Sequence, residues 1–222
     1  MDEAVIQAKL GADIIVAQGG EAGGHGTSES NIFCLVPQVA TALREVEKAE
    51  KRDILVVAAG GVVDGRGLAA ALSLGADGIL MGTRFLVSKE SPDPDSTKNR
   101  LVELREGAGT VRTRTWDILA GGFWPQRYNG RAVANSSSDK YVGREAEFEK
   151  EMGKDPKRWA ELAQVHLQKK KARDYTEAPL WAGAGVGGIT SVLTVQEIVS
   201  GTVKEAIEVI QQQSSKIVTS KL

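Results

Sequence analysis

Asp53-Ile54-Leu55-Val56-Val57-Ala58-Ala59-Gly60-Gly61-Val62 is an apolar run that ends on a glycine pair. Side chains on both sides of the run are apolar. That is how a strand reads when it lies in a parallel sheet covered on both faces. The glycines permit a tight turn with positive φ. Asp64 then reads as the N-cap of a helix over 65–74, and Gly75 as its stop.

The same unit extends outward from this run. Upstream, Ala4, Ala8 and Leu10 lie in a short helix ended by Gly11, and 13–17 is a first strand. Val36, Val39, Leu43 and Val46 share one helical face, with Pro37 in the first turn, where proline is tolerated. Downstream, 78–81 is a third, short strand. Strands alternating with helices predict βαβ units with right-handed crossovers over 1–90, an α/β fold.

Residues 91–180 change character. Pro92, Asp93, Pro94 and Asp95 break the pattern, and charged helical pieces follow at 144–152 and 156–173. They predict a smaller, mostly helical second domain, with Lys169, Lys170 and Lys171 as a solvated helix end. Residues 181–222 return to the first domain. They run from a glycine-rich segment, 181–188, to a closing amphipathic helix over 191–212 through Val195, Ile198, Val199, Val203, Ile207 and Ile210.

The totals bound the function. The chain has 222 residues, 41% hydrophobic and 26% charged, with a formal net charge of -1. Such a balance gives no reason to expect nucleic acid or an anionic membrane as partner. No apolar run approaches the roughly 20 residues that span a bilayer. The single cysteine, Cys34, cannot form an intrachain disulfide, which fits a reducing compartment, and it reads as a small packing residue. The last three residues, Ser220-Lys221-Leu222, form the peroxisomal import tripeptide, so the import receptor is an expected partner and the peroxisome the expected location.

The chemistry centres on Gln18-Gly19-Gly20-Glu21-Ala22-Gly23-Gly24-His25. The first strand delivers this glycine turn, and the turn ends on one of only two histidines. Glycines let backbone N–H groups approach a ligand, and histidine suits proton transfer near neutral pH. Glu21 could orient His25 or be solvated. His166, the other histidine, sits in a polar helix and is assigned no role. Two further glycine turns, Ala58–Val62 and Met81–Phe85, follow strands. Consecutive turns of this kind cradle a phosphate after neighbouring strands of a (β/α)₈ barrel. No metal site is expected.

Gln18–His25, Ala58–Val62 and Leu80–Phe85 together resemble the nitronate monooxygenase (2-nitropropane dioxygenase) family of FMN-dependent TIM-barrel enzymes. The first motif is specific to that family and its enoyl-reductase relatives. Trp116-Asp117, Trp124-Pro125, Tyr128-Asn129-Gly130-Arg131-Ala132 and Trp181-Ala182-Gly183 resemble its fungal-type members. The resemblance implies that His25 is the general base that takes the α-proton of a nitroalkane. Gln18, Gly23 and Gly24 would line FMN. Gly60 and Gly61, with Leu80, Met81, Gly82 and Thr83, would hold its phosphate and ribityl chain. The implied reaction oxidises a nitronate or nitroalkane with O₂ to a carbonyl compound and nitrite.

Two departures qualify the resemblance. A barrel domain has eight βα units and about 250 residues, whereas three units are legible here. In barrel order they match strands 6, 7 and 8. The chain therefore reads as the C-terminal part of a barrel, with open sheet edges and a tendency to aggregate. A truncated, non-enzymatic product is then one alternative. An FMN-dependent enoyl-thioester reductase is another. Many family members also carry a polar Gln-Ser pair where Ala184 and Gly185 stand.

Overall fold

The computed structural model describes residues 2–27, 30–104, 109–122 and 124–219. The Ser220-Lys221-Leu222 tail lies outside the described residues.

Helix α1 (Asp2–Lys9) leads into strand β1 (Ile14–Gln18), which continues through the glycine turn into a short strand, β2 (Gly24–Gly26). Helix α2 (Ile32–Glu50), strand β3 (Leu55–Ala59), helix α3 (Gly65–Ser73) and strand β4 (Gly78–Leu80) follow. The strands β1, β3 and β4 form a parallel sheet in the order β1-β3-β4. Its register pairs Gln18 with Ala59 and Ala59 with Leu80. The three strands therefore end level, and all three glycine turns leave from one edge of the sheet.

Local chemistry explains the helices. Asn31 caps α2 by accepting from the Cys34 N–H at 3.0 Å. Asp64 caps α3 by accepting from the Gly67 N–H at 3.0 Å, as its position predicts. Helix α2 buries Val36, Val39, Ala40, Leu43 and Val46 against Ile15, Ala17, Val56 and Ala58 of the sheet. Each such aliphatic side chain contributes about 1.5–3 kcal/mol on burial. Cys34 is exposed, not packed. It stands two residues before Val36, about 200° around the helix from the buried stripe.

The opposite sheet face is open: Ile14, Val16, Leu55 and Leu80 are each about half exposed. Within the described residues β1 and β4 each pair only with β3. These are the face and edges that further strands of a closed barrel would occupy.

The middle region carries helices α4 (Thr83–Leu86) and α5 (Asp95–Glu103), strand β5 (Thr110–Thr113), helix α6 (Thr115–Leu119) and strand β6 (Asn129–Val133). Helices α7 (Ser136–Tyr141), α8 (Glu145–Lys154) and α9 (Pro156–Ala172) follow. Helices α8 and α9 stand where the pieces at 144–152 and 156–173 were expected; the shorter helices and the strands were not expected. The strands form an antiparallel sheet in the order β2-β6-β5, so β2 of the first region is built into a sheet of the second. All three strands have five residues or fewer, too short for a clear period-two signal.

The closing helix α10 (Val195–Thr219) starts later and runs further than the sequence pattern suggests, and lies against α3. Glu205 accepts from the Gly65 N–H at 2.7 Å and so caps α3 a second time. No helix among the described residues is long and apolar enough to cross a membrane.

Candidate active site

The level ends of β1, β3 and β4 open onto a cavity of 410 Å³. That size lies within the roughly 300–1,000 Å³ of small-molecule and cofactor sites. From the first turn, Gln18, Gly23, Gly24 and His25 line it. Gly60 and Gly61 come from the second turn, and Leu80, Gly82 and Thr83 from the third. Met81 does not reach it: the short strand ends at Leu80, and Met81 is not on the cavity wall. Gly60 and Gly61 have φ of 118° and 72°, a conformation that side chains disfavour.

The segment 181–188 closes the cavity. Thr83 Oγ1 accepts from the Gly183 N–H at 2.9 Å, and the Glu21 carbonyl accepts from the Ala184 N–H at 2.8 Å. Gly185 packs so closely that an added Cβ would lie 2.1 Å from the Gly61 carbonyl oxygen. Val62, Val63, Leu86, Val186 and Trp181 supply an apolar wall. No Lys or Arg is among the described lining residues, so an anionic group here would depend on backbone N–H groups. A flat aromatic group bearing a phosphate fits this combination of apolar wall and glycine turns.

His25 sits on β2, opposite Gly130 of β6. Its Nε2 lies 2.7 Å from Asp117 Oδ1. Paired with a carboxylate, Nε2 carries the proton, and the neutral ring keeps its lone pair on Nδ1. The other Asp117 oxygen is buried without a partner among the described residues, where His25 is the side chain that bonds this carboxylate. Trp124 stacks on the His25 ring at 4.1 Å with 10° between planes, and Trp181 lies tilted at 5.1 Å. Gln18 Nε2 donates to the His25 carbonyl at 2.9 Å and braces the backbone from below.

Sequence reasoning gave Asp117, Trp124 and Trp181 no role, and Arg112 went unremarked. Asp117 stands 92 residues from His25, with no periodic signal linking them. Glu21, the nearer carboxylate, is engaged elsewhere: it accepts from the Ile32 N–H at 3.1 and 3.3 Å, at the start of α2. An acceptor there complements the positive end of the helix. His166 is buried on α9 beside a separate cavity lined by Ser136, Ser137, Lys140, Tyr141 and Glu177. Burial, and then the charge of Lys170, hold it below the ordinary histidine value.

The comparisons with known proteins agree with this geometry. The family model of nitronate monooxygenase matches residues 1–205. A nitronate monooxygenase of Neurospora crassa is 38% identical over 205 residues, which cover 91% of this chain and 50% of that protein. The structure of FabK from Thermotoga maritima superposes with a TM-score of 0.75 at 29% identity, covering 97% of this chain and 61% of that one. A nitroalkane oxidase from Streptomyces ansochromogenes gives a TM-score of 0.69 at 27% identity, covering 96% and 56%. The chain spans about half the length of the curated relatives it matches. With a family match over residues 1–205 and a parallel sheet whose glycine turns converge on His25, the chain belongs to the nitronate monooxygenase family.

Proposed function

We propose that this chain carries the flavin- and proton-transfer site of an enzyme that oxidises alkyl nitronates or nitroalkanes with O₂ to a carbonyl compound and nitrite. The observation that carries the reading is His25, on the wall of the glycine-turn cavity and held at 2.7 Å by Asp117. Family membership supports the reaction class.

FMN is the cofactor this reading assigns, and when bound it supplies the electron transfer from substrate to O₂. Gly60, Gly61, Gly82 and Thr83 would hold its phosphate with backbone N–H groups. Leu80, Val62, Val63 and Trp181 would pack against its apolar parts, and Gln18, Gly23 and Gly24 would line the flavin side. His25 takes the α-proton of a neutral nitroalkane onto its free ring nitrogen, while Asp117 holds the other nitrogen and stabilises the imidazolium that forms. Trp124 stacks on the ring and Trp181 lies tilted beside it, which limits how the ring can turn. A substrate that arrives as a nitronate has no α-proton to lose, so it needs His25 less.

The test is a flavin titration followed by O₂ uptake. The reading expects FMN to be retained near one per chain, with O₂ uptake dependent on nitroalkane and lost in His25→Ala. NAD(P)H consumption with an enoyl thioester would favour the reductase reading. A folded chain that retains no FMN would favour a non-enzymatic product. We also propose, from the sequence of the tail alone, that Ser220-Lys221-Leu222 addresses the protein to peroxisomes.

A further inference from the structure

The loop that carries Gly23, Gly24 and His25 is built largely of glycine, so its side chains do little to fix it, and Arg112 binds more of its carbonyls than Gln18 or Arg131 does. Arg112, on β5, donates from Nε to the Gly20 carbonyl at 3.0 Å and from Nη2 to the Ala22 carbonyl at 2.6 Å. Its Nη1 donates to the Gly26 carbonyl at 3.2 Å, and to the Asn129 carbonyl and Oδ1 of β6 at 2.7 and 3.1 Å. Arg131, its pairing partner across the sheet, donates from Nε to the same Gly20 carbonyl at 3.0 Å.

We infer that Arg112 is a positioning residue: its guanidinium clasps the glycine loop at three carbonyls and thereby sets both the His25 ring and the backbone N–H groups that face the cavity.

The peptide geometry carries the second half of this inference. In a trans peptide the C=O and the following N–H point in opposite directions. Fixing the Ala22 carbonyl on Arg112 turns the Gly23 N–H away from it, and Gly23 lies on the cavity wall. Fixing the Gly26 carbonyl anchors the far end of β2, one residue beyond His25. A lysine cannot do the same: its one nitrogen cannot reach carbonyls spread along seven residues, whereas the planar fork of arginine presents donors at fixed separations. The arrangement is costly, which argues that the loop geometry matters. Two arginines share one carbonyl, and burial and the neighbouring Arg131 charge lower Arg112 to about 10, with only Glu21 offsetting them.

The catalytic consequence depends on the proposed flavin reading, but the clasp itself does not. Two readouts separate them. Hydrogen exchange of the amides between Gly20 and Gly26 is measured on the full chain without flavin, for wild type, Arg112→Lys and Arg114→Ala. Arg114 lies two residues on and pairs with Glu149 at 2.9 Å without touching the loop. The clasp predicts that Arg112→Lys speeds exchange by about tenfold or more, the effect of losing one or two charge-assisted hydrogen bonds. Arg114→Ala should leave those amides unchanged. Arg131→Lys, which of the bonds to the loop removes only the second donor to Gly20, should give a smaller rise and keeps the test open if Arg112→Lys does not fold. Unchanged exchange in the Arg112 and Arg131 variants overturns the clasp. FMN titration of the same proteins is the second readout, with FMN binding weakened about tenfold in Arg112→Lys. Wild type that binds no FMN defeats the flavin reading, while the exchange rates still decide the clasp.

Discussion

The His25 Nε2 and Asp117 Oδ1 atoms lie 2.7 Å apart, joining two residues 92 positions apart in sequence. The antiparallel sheet makes the meeting possible. It takes β2 from the glycine turn and lays it against β6, while the chain leaving β5 enters α6, where Asp117 sits buried. The parallel sheet supplies the cavity, and the antiparallel one supplies the carboxylate.

Asp117→Asn should lower turnover of a neutral nitroalkane by about 10²-fold, within the range that a positioned acid–base group contributes. The amide keeps the shape but neither fixes the tautomer nor stabilises the imidazolium. Turnover of the preformed nitronate should fall much less. Steady-state O₂ uptake with the two substrate forms measures the ratio. An equal loss with both would show that Asp117 does not act through proton abstraction.

The fold was largely legible because its signals are local. The run 53–62 declares a strand and its turn, and Asp64 and Gly75 mark both ends of α3. The glycine turns were legible for the same reason, and the register of the sheet gathers them at one edge. The second sheet was not legible: β2 has three residues, two of them glycine, and its identity comes from pairing with β6. Asp117 and Arg112 were not legible either, because an ordinary carboxylate and an ordinary arginine acquire their roles only when distant segments meet. Met81 is not among the cavity's lining residues, and the strand before it ends one residue earlier than expected.

Gly185→Ser should cost about 1–3 kcal/mol of stability, as overpacking does, and weaken FMN retention. The new Cβ would meet the Gly61 carbonyl oxygen at 2.1 Å, so the turn at Gly60–Gly61 or the segment 184–188 must move. Thermal melting and the same flavin titration check this. A variant as stable as wild type, with unchanged flavin retention, would mean that the two loops do not press on each other.

His166 predicts a pH dependence of stability. Its folded value lies below the ordinary 6.5, because burial disfavours the charged ring and Lys170 repels it, with Asp117 and Glu177 offsetting part of this. Lys140 and Lys169 also line the adjoining cavity. Above pH 6.5 the ring is neutral in both the folded and unfolded states, and its neutrality costs nothing. As the pH falls below 6.5 the unfolded chain takes up a proton that the folded one resists, so stability declines. Melting temperatures between pH 8 and 5 should therefore drop less steeply in His166→Gln than in wild type. Parallel curves would remove His166 as a source of the slope.

The tail gives the last prediction. A peroxisomal receptor reads a C-terminal tripeptide as an address, and it acts only when the end of the chain is accessible. The residues before it, Gln211 to Ser214, are polar and exposed on α10, which would leave such an end free for binding. A fluorescent protein fused ahead of the full chain should collect in catalase-containing organelles. The same fusion ending at Thr219 should stay diffuse, and masking the carboxyl end by a C-terminal tag should have the same effect as the deletion. A fusion that reaches the organelle equally well without Ser220-Lys221-Leu222 would mean that some other signal in the chain directs it.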